Sequence, residues 1–314
     1  MVVDLGNVVI ERLCTLVGVE PRYGPCPKTS NWCLWGTHQR AWSEPVTADR
    51  GYAASTLHLR TQVFEGFTGS LAQSVALSAR LSLPTIAGIA QSTDAPARLE
   101  LVSSLDVHRG NASRIPDVLA VVARVQAAEA RMLSESKGLD WVGLTPKVST
   151  GVNLPFDLLL KPAEMLLSRV GPERRDFGWP EAEVSAAIDE LVLRARAEVV
   201  IRTFESMSAT LLLDSVKGTR SILEVRADVS HPLLGQGLSM VLSTPAASGP
   251  LNAMVANALE VRPGGAGDTL GGWWATHGGG LRYAGFYPNA FYHKGFALQL
   301  LLGYARRARK TASI

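Results

Sequence analysis

Two stretches of the chain repeat one order of hydrophobic periodicities. In the later stretch Leu238, Met240 and Leu242 recur at every second position, the period of a half-buried strand, and Pro245 and Gly249 end it. Leu251, Met254, Val255, Leu259 and Val261 then follow mostly helical intervals, with Pro250 suited to a first turn, where a missing N–H costs nothing. Two strand-like runs come next, Asp268 to Ala275 and Gly280 to Phe286. The glycines of His277-Gly278-Gly279-Gly280 between them permit the positive φ angles of a hairpin. From Pro288 to Arg309 the period is helical again, with Phe296, Leu300 and Tyr304 on one stripe and Lys294, Arg306 and Arg307 mostly off it.

The earlier stretch has the same order. Leu57 to Phe64 alternates as a strand, Ser70 to Leu81 reads as a short helix, Thr85 to Gln91 and Arg98 to Leu105 as strands, and Ser113 to Leu133 as a long helix. Leu59 to Met240, Leu71 to Leu251 and Leu105 to Phe286 are separated by about 181, 180 and 181 residues. A nearly constant offset across strand, helix and strand points to an internal duplication. Each copy opens on an amphipathic helix, Asp4 to Val17 and Glu181 to Arg196. Asn31 to Trp35 is a strand in the first copy, and Val199 to Phe204, Ala209 to Leu213 and Ser221 to Val229 are strands in the second. Connections too short for helical crossovers make the sheets mainly antiparallel.

Between the copies, Gly138 to Pro180 carries Pro146, Pro155, Pro162, Pro172 and Pro180 among short apolar pieces, the composition of an ordered connector. The expected organisation is an N-terminal α+β domain over 1–140, a connector over 141–178 and a C-terminal α+β domain over 179–314. Each domain would be a mainly antiparallel sheet flanked by helices.

The run His231-Pro-Leu-Leu-Gly-Gln-Gly-Leu238, then Leu251-Asn252, Leu270-Gly-Gly-Trp273 and Phe286-Tyr-Pro-Asn289, resembles bacterial proteins related to type III secretion chaperones and to YbjN, sometimes grouped as tandem peptide-binding chaperone-like domains. Arg98 to Leu105 and the Ala-rich segment around Gln126 look like the matching part of the first copy. The resemblance covers about two thirds of the chain. It implies a pseudo-dimeric α+β fold and a non-enzymatic, protein- or peptide-binding role, and brings no catalytic residues, metal or cofactor.

Bulk properties agree with a folded, weakly charged protein: 314 residues, 46% hydrophobic, 19% charged, formal net charge +3. The dense basic group, Arg306 to Lys310, stands where cations suit the dipole of a final helix, so a nucleic-acid partner is not expected. The first residues lack a secretory pattern and no apolar run is long enough for a bilayer span, so a cytoplasmic location without membrane contact is the expectation. Cys14, Cys26 and Cys33 lack CxxC spacing and read as buried free thiols rather than a disulfide framework or zinc site.

Candidate chemistry is thin. The runs Gly264 to Gly267 and Gly278 to Gly280 match neither a P-loop nor a dinucleotide fingerprint, no HExxH or GxSxG is present, and Ser103-Ser104 falls on a strand. Asp106, Asp228, Asp268 and Glu260 are the carboxylates considered for acid–base work and are read as solvated or capping residues. Candidate contacts for a peptide client are therefore chosen by side-chain type, since Trp and Tyr are enriched at interfaces: Trp32, Trp35 and Trp42 in the first copy, and Trp273, Trp274, Tyr283, Phe286 and Tyr287 in the second. Two alternatives stand beside this reading. One is a small-ligand protein or enzyme with a site between the copies, at Asp268, His277 and His293. The other is a structural subunit of a larger assembly; the chain itself would be a monomeric pseudo-dimer or a homo-oligomer.

Overall fold

The structure is a computed structural model, and it describes residues 5–18, 22–23, 29–45, 55–70, 72–73, 77, 87–92, 94–107, 112–113, 115–135, 142–148, 179–195, 197–203, 207–214, 218–231, 235–245, 250–260, 272–277, 280–292 and 294–311. The chain divides into two compact units, Met1–Leu166 with Asn257–Leu270, and Leu167–Ala256 with Gly271–Ile314. Both are α+β units in which an antiparallel sheet is flanked by helices.

The first unit runs α1 (Leu5–Val17), β1 (Arg22–Tyr23), β2 (Thr29–Leu34), β3 (Thr37–Pro45), β4 (Ser55–Glu65), β5 (Gly88–Gln91), β6 (Arg98–Val107), α2 (Ile115–Glu135) and β7 (Thr145–Pro146). Its strands lie in the order β1-β2-β3-β4-β6-β5, with β7 paired beside Phe64 and Glu65 of β4. Val9, Ile10, Leu13 and Val17 form one stripe of α1 and are buried, as helical periodicity requires.

Under α2 the inner face of the sheet is tied by a buried polar chain. The Trp32 indole N–H donates to Gln39 Oε1 at 2.8 Å, and Gln39 Nε2 donates to Thr61 Oγ1 at 2.8 Å and to the Ala123 carbonyl at 2.7 Å. Thr61 Oγ1 donates to Gln126 Oε1 at 2.8 Å, and Gln126 Nε2 donates to Ser103 Oγ at 2.9 Å. Four strands and one helix are thus joined by buried side chains, where each hydrogen bond is strong and each unmade one is expensive.

The second unit runs α3 (Glu181–Ala195), β8 (Glu198–Thr203), β9 (Ser208–Asp214), β10 (Arg220–His231), β11 (Gly235–Thr244), α4 (Pro250–Glu260), β12 (Gly272–His277), β13 (Gly280–Pro288), a short 3-10 turn (Asn289–Phe291) and α5 (Phe296–Thr311). The last turn of α4, from Asn257, belongs to the first unit: Asn257 Nδ2 donates to the Ile89 carbonyl at 3.1 Å, and Ala258 packs on Ala90 and Val102. The strand order is β8-β9-β10-β11-β13-β12. Read from β1 and from β8, the two sheets therefore have one and the same order, and every described strand pair in both is antiparallel.

Here the core is closed by tyrosines. Tyr287 Oη donates to Tyr304 Oη at 3.3 Å, and Tyr304 Oη donates to the Met240 carbonyl at 3.1 Å. Burial pushes the Tyr304 hydroxyl well above its ordinary pKa, so it keeps the proton that it donates. Gly285 and Gly272 make room for these hydroxyls, since a Cβ would stand 2.4 Å from Tyr304 Oη at Gly285 and 2.4 Å from Tyr283 Oη at Gly272. The Trp179 indole N–H donates to the Tyr287 carbonyl at 3.1 Å and its ring stacks on Phe296.

Three expectations are corrected. The residue equivalent to Leu105 is Tyr287, not Phe286. Leu59 pairs with Ser103 and Met240 with Gly285, so Leu57–Leu105 corresponds to Leu238–Tyr287, and a slip of one residue would put a core side chain on the opposite face. The helix expected from Pro288 is split, because Gly295 takes φ +86° and turns the chain before α5. Glu183 receives the released groups, accepting from the Tyr292 hydroxyl and the Gly295 amide. Third, Arg307 does not sit on the solvated side of the last helix; it is buried with its guanidinium 4.2 Å from the Tyr283 ring. The helix expected over 70–81 falls mostly outside the described residues; Ala72, Gln73 and Leu77 within it are helical.

Replacing Gln126 with Ala is expected to cost about 1–3 kcal/mol, because Thr61 and Ser103 lose their buried partner. Gly285→Ala is expected to cost a similar amount, about 1–3 kcal/mol, by overpacking against two tyrosines that cannot withdraw. Urea denaturation of each variant checks both, and a neutral Gln126→Ala would show that the polar chain is dispensable.

Candidate functional site

The inner residues of β3 and β4 face the helices, so by alternation their neighbours project from the opposite, outer face. There the register aligns Asn31, Arg40 and Arg60 across β2, β3 and β4, and aligns Gln62 with Glu100 across β4 and β6. Cys33 stands opposite His38 on the β2–β3 hairpin. Together with Arg98, these side chains line an open cavity of about 490 Å³.

Its floor is an ion pair withdrawn from water. Arg60 Nη1 lies 3.2 Å from Glu100 Oε2, and the two side chains are 6% and 4% exposed. Arg98 approaches the other Glu100 oxygen at 4.0 Å, and its Nε is buried without a hydrogen-bond partner. At the side, Arg40 pairs with the exposed Asp94. Arg40 and Arg60 each bring their guanidinium carbon 4.8 Å from the centre of the Trp42 ring, and His58 stacks against that ring at 4.7 Å. His58 is buried, and its Nε2 is 3.6 Å from Glu44 Oε2. That imidazole, then the Trp42 indole N–H at 3.0 Å, hold the Glu44 carboxyl below its ordinary pKa despite the opposing effect of burial.

The tryptophans chosen from sequence are divided among three settings. Trp32 lines the cavity and is buried, because its indole N–H belongs to the inner polar chain. Trp42 lies against the arginines. Trp35 is half-buried at the hairpin tip with φ +50°, followed by Gly36 at φ +80°; positive φ at both central residues is the two-residue turn that suits twisted strands. A tryptophan rarely occupies that position. In the second unit Trp273, Trp274, Tyr283, Phe286 and Tyr287 are all buried, with Trp274, Tyr283 and Tyr287 the most completely so. Trp274 meets Tyr283 edge-on, and Tyr283 meets Tyr304 in the same way, so these rings fill the core.

The arginines and Glu100 were not singled out from sequence. Arg40, Arg60 and Glu100 alternate with core residues as any solvated strand face would, and nothing local signals that Arg60 and Glu100 are buried. Cys33 is exposed, which corrects the expectation of a buried thiol; Cys14 is buried, and burial raises its pKa. Asp106 accepts a hydrogen bond from Thr56 at 2.7 Å, and Ser103 is taken by Gln126. Asp268, His293 and the side chain of His277, as well as Cys26 and the Gly264 run, lie outside the described residues. Among the described residues no group of three or more His, Cys, Asp or Glu could hold a metal ion, and no helix is long and apolar enough to cross a membrane.

No family model matches the chain, and no curated protein matches it. A solved structure, the di-domain ARO/CYC BexL from the BE-7585A biosynthetic pathway, is similar at 10% identity over 90% of this chain and 79% of that one, with a TM-score of 0.12. A likeness of that size carries no argument about fold or activity.

Truncating Glu100 to Ala is expected to destabilise the protein by about 3–5 kcal/mol, because it leaves Arg60 charged and buried without its counterion. The double variant R60M/E100L is expected to recover most of that loss in thermal or urea unfolding. A double variant no better than E100A would mean that the pair holds the sheet by more than mutual neutralisation.

Proposed function

We propose that the chain binds a protein or peptide client without catalysing a reaction, as a tandem chaperone-like protein whose two units form a pseudo-dimer. The shared strand order of the two sheets supports the tandem part of this reading. The observation that carries the binding part is the edge strand β8. It pairs on one side with β9, and Val200 and Ile201 on it are 52% and 58% exposed. Ile222, two strands in and paired with Leu212, is 44% exposed. An edge with apolar side chains and a row of backbone groups facing outward is a template for an added strand.

The edge is bounded rather than open-ended. Val200 is the extra residue of a bulge between Val199 and Ile201, and Glu198–Arg220 and Arg202–Asp189 ion pairs stand at its two ends. Bulges and charges of this kind limit uncontrolled pairing. They favour a short client segment of apolar, β-prone residues, with backbone pairing giving affinity and the Ile201 side chain giving preference.

A fluorescently labelled panel of Val-, Ile- and Thr-rich hexapeptides tests this by anisotropy. The expected result is binding by the unaltered protein, slowed amide exchange over 198–203 in the complex, and a loss of about tenfold or more in affinity on Ile201→Lys. Absence of binding across the panel, or binding that ignores Ile201→Lys, would sink the proposal.

A further inference from the structure

We infer that the cavity on the outer face of the first sheet is a binding site for a small molecule bearing carboxylate groups, a site and ligand class separate from the β8 edge. Three guanidinium groups, of Arg40, Arg60 and Arg98, line it against one carboxylate, that of Glu100. Of the remaining acids near them, Asp94 on Arg40 and Glu65 on Arg98 form partly exposed ion pairs, which contribute little and exchange readily, and Glu44 near Arg60 is engaged by His58 and the Trp42 indole. Positive charge on the wall therefore exceeds the buried negative charge.

The donors are also prearranged. Trp42 holds Arg40 and Arg60 at equal distances from its ring, so both planar forks are ordered before a ligand arrives. Arg98 adds a third guanidinium, whose Nη1 lies 4.0 Å from Glu100 Oε1. Glu100 shows what chemistry the wall accommodates, since its carboxylate is already held between Arg60 and Arg98. A further carboxylate offers two oxygens in one plane, the geometry that a planar guanidinium fork receives, and Glu100 already shows such a group between two arginines here. Asn31 and Gln62 supply neutral hydrogen-bonding groups for the rest of such a ligand, and about 490 Å³ is ample for a molecule of metabolite size.

Cys33 on the cavity wall makes the test site-specific, because it is exposed. Iodoacetate and iodoacetamide alkylate a thiolate identically, the sulfur bonding to the methylene carbon as iodide leaves, and differ in that the first carries a carboxylate. Rates at Cys33 are read by peptide mass spectrometry and divided, iodoacetate over iodoacetamide. The expected ratio is about tenfold or more above that of an unstructured cysteine peptide, because the arginines concentrate the anion, and it falls to the peptide's value in Arg40→Met and in Arg98→Met. Citrate is expected to slow the iodoacetate reaction of the unaltered protein at concentrations where inorganic phosphate does not. A ratio equal to the peptide's, or one unchanged in whichever of the two variants retains its unfolding transition, overturns the inference. So does protection by phosphate equal to that by citrate, which would reduce the site to general anion attraction.

Discussion

The first unit depends on the buried amide and hydroxyl chain that runs from Trp32 through Gln39, Thr61 and Gln126 to Ser103. Apolar packing alone fixes which face of a strand is inside, but it discriminates weakly between neighbouring registers that keep the same face. Directional hydrogen bonds discriminate strongly, because a displaced strand would leave several polar atoms buried and unpaired. Every outward-facing position inherits that register. Arg40 meets Arg60 across β3 and β4 because Gln39 is held opposite Thr61, and Cys33 meets His38 because Trp32 is held opposite Gln39.

The second unit has the same strand order and solves the same problem with other chemistry. Its inner face presents Leu238, Met240 and Leu242 in place of an amide ladder, and directional contacts come from the hydroxyls of Tyr287 and Tyr304. The tyrosines are accommodated by glycines on β12 and β13, so Gly272 and Gly285 belong to the packing as much as the rings do. Arg307 adds a cation over Tyr283 inside this core. One arrangement of strands thus carries two different interiors, which is why few residues are identical between the halves.

The outer surfaces differ for related reasons. In the first unit the outer face is polar and holds a buried ion pair, and Trp42 organises two arginines above it. In the second, Val200 and Ile201 are exposed on the edge strand β8, and Ile222 is exposed two strands further in, on β10. A polar cavity with ordered guanidinium groups suits a small charged ligand, and an apolar edge suits an extended chain. The two surfaces differ in chemistry because different side chains fill the outward positions of one strand order.

Periodicity in the sequence indicated most of the described elements, because periods of 2 and 3.6 residues are local properties of a chain with one wet and one dry side; the strand Thr37–Pro45 passed unread. It also indicated antiparallel pairing through short connections. It did not determine which tryptophans and tyrosines lie at the surface: Tyr283 and Tyr287 alternate like interface residues yet are buried, and Phe286 stood in for Tyr287 by a shift of one position. The polar contacts were beyond its reach, since Arg60 and Glu100 are 40 positions apart and Gln126 and Ser103 are 23. Burial of a charge, alignment of Arg40 and Arg60 on Trp42, and the exposed edge of β8 arise from which strands become neighbours. Tertiary structure decided them, because a side chain's dielectric surroundings and partners are set by residues distant in the chain.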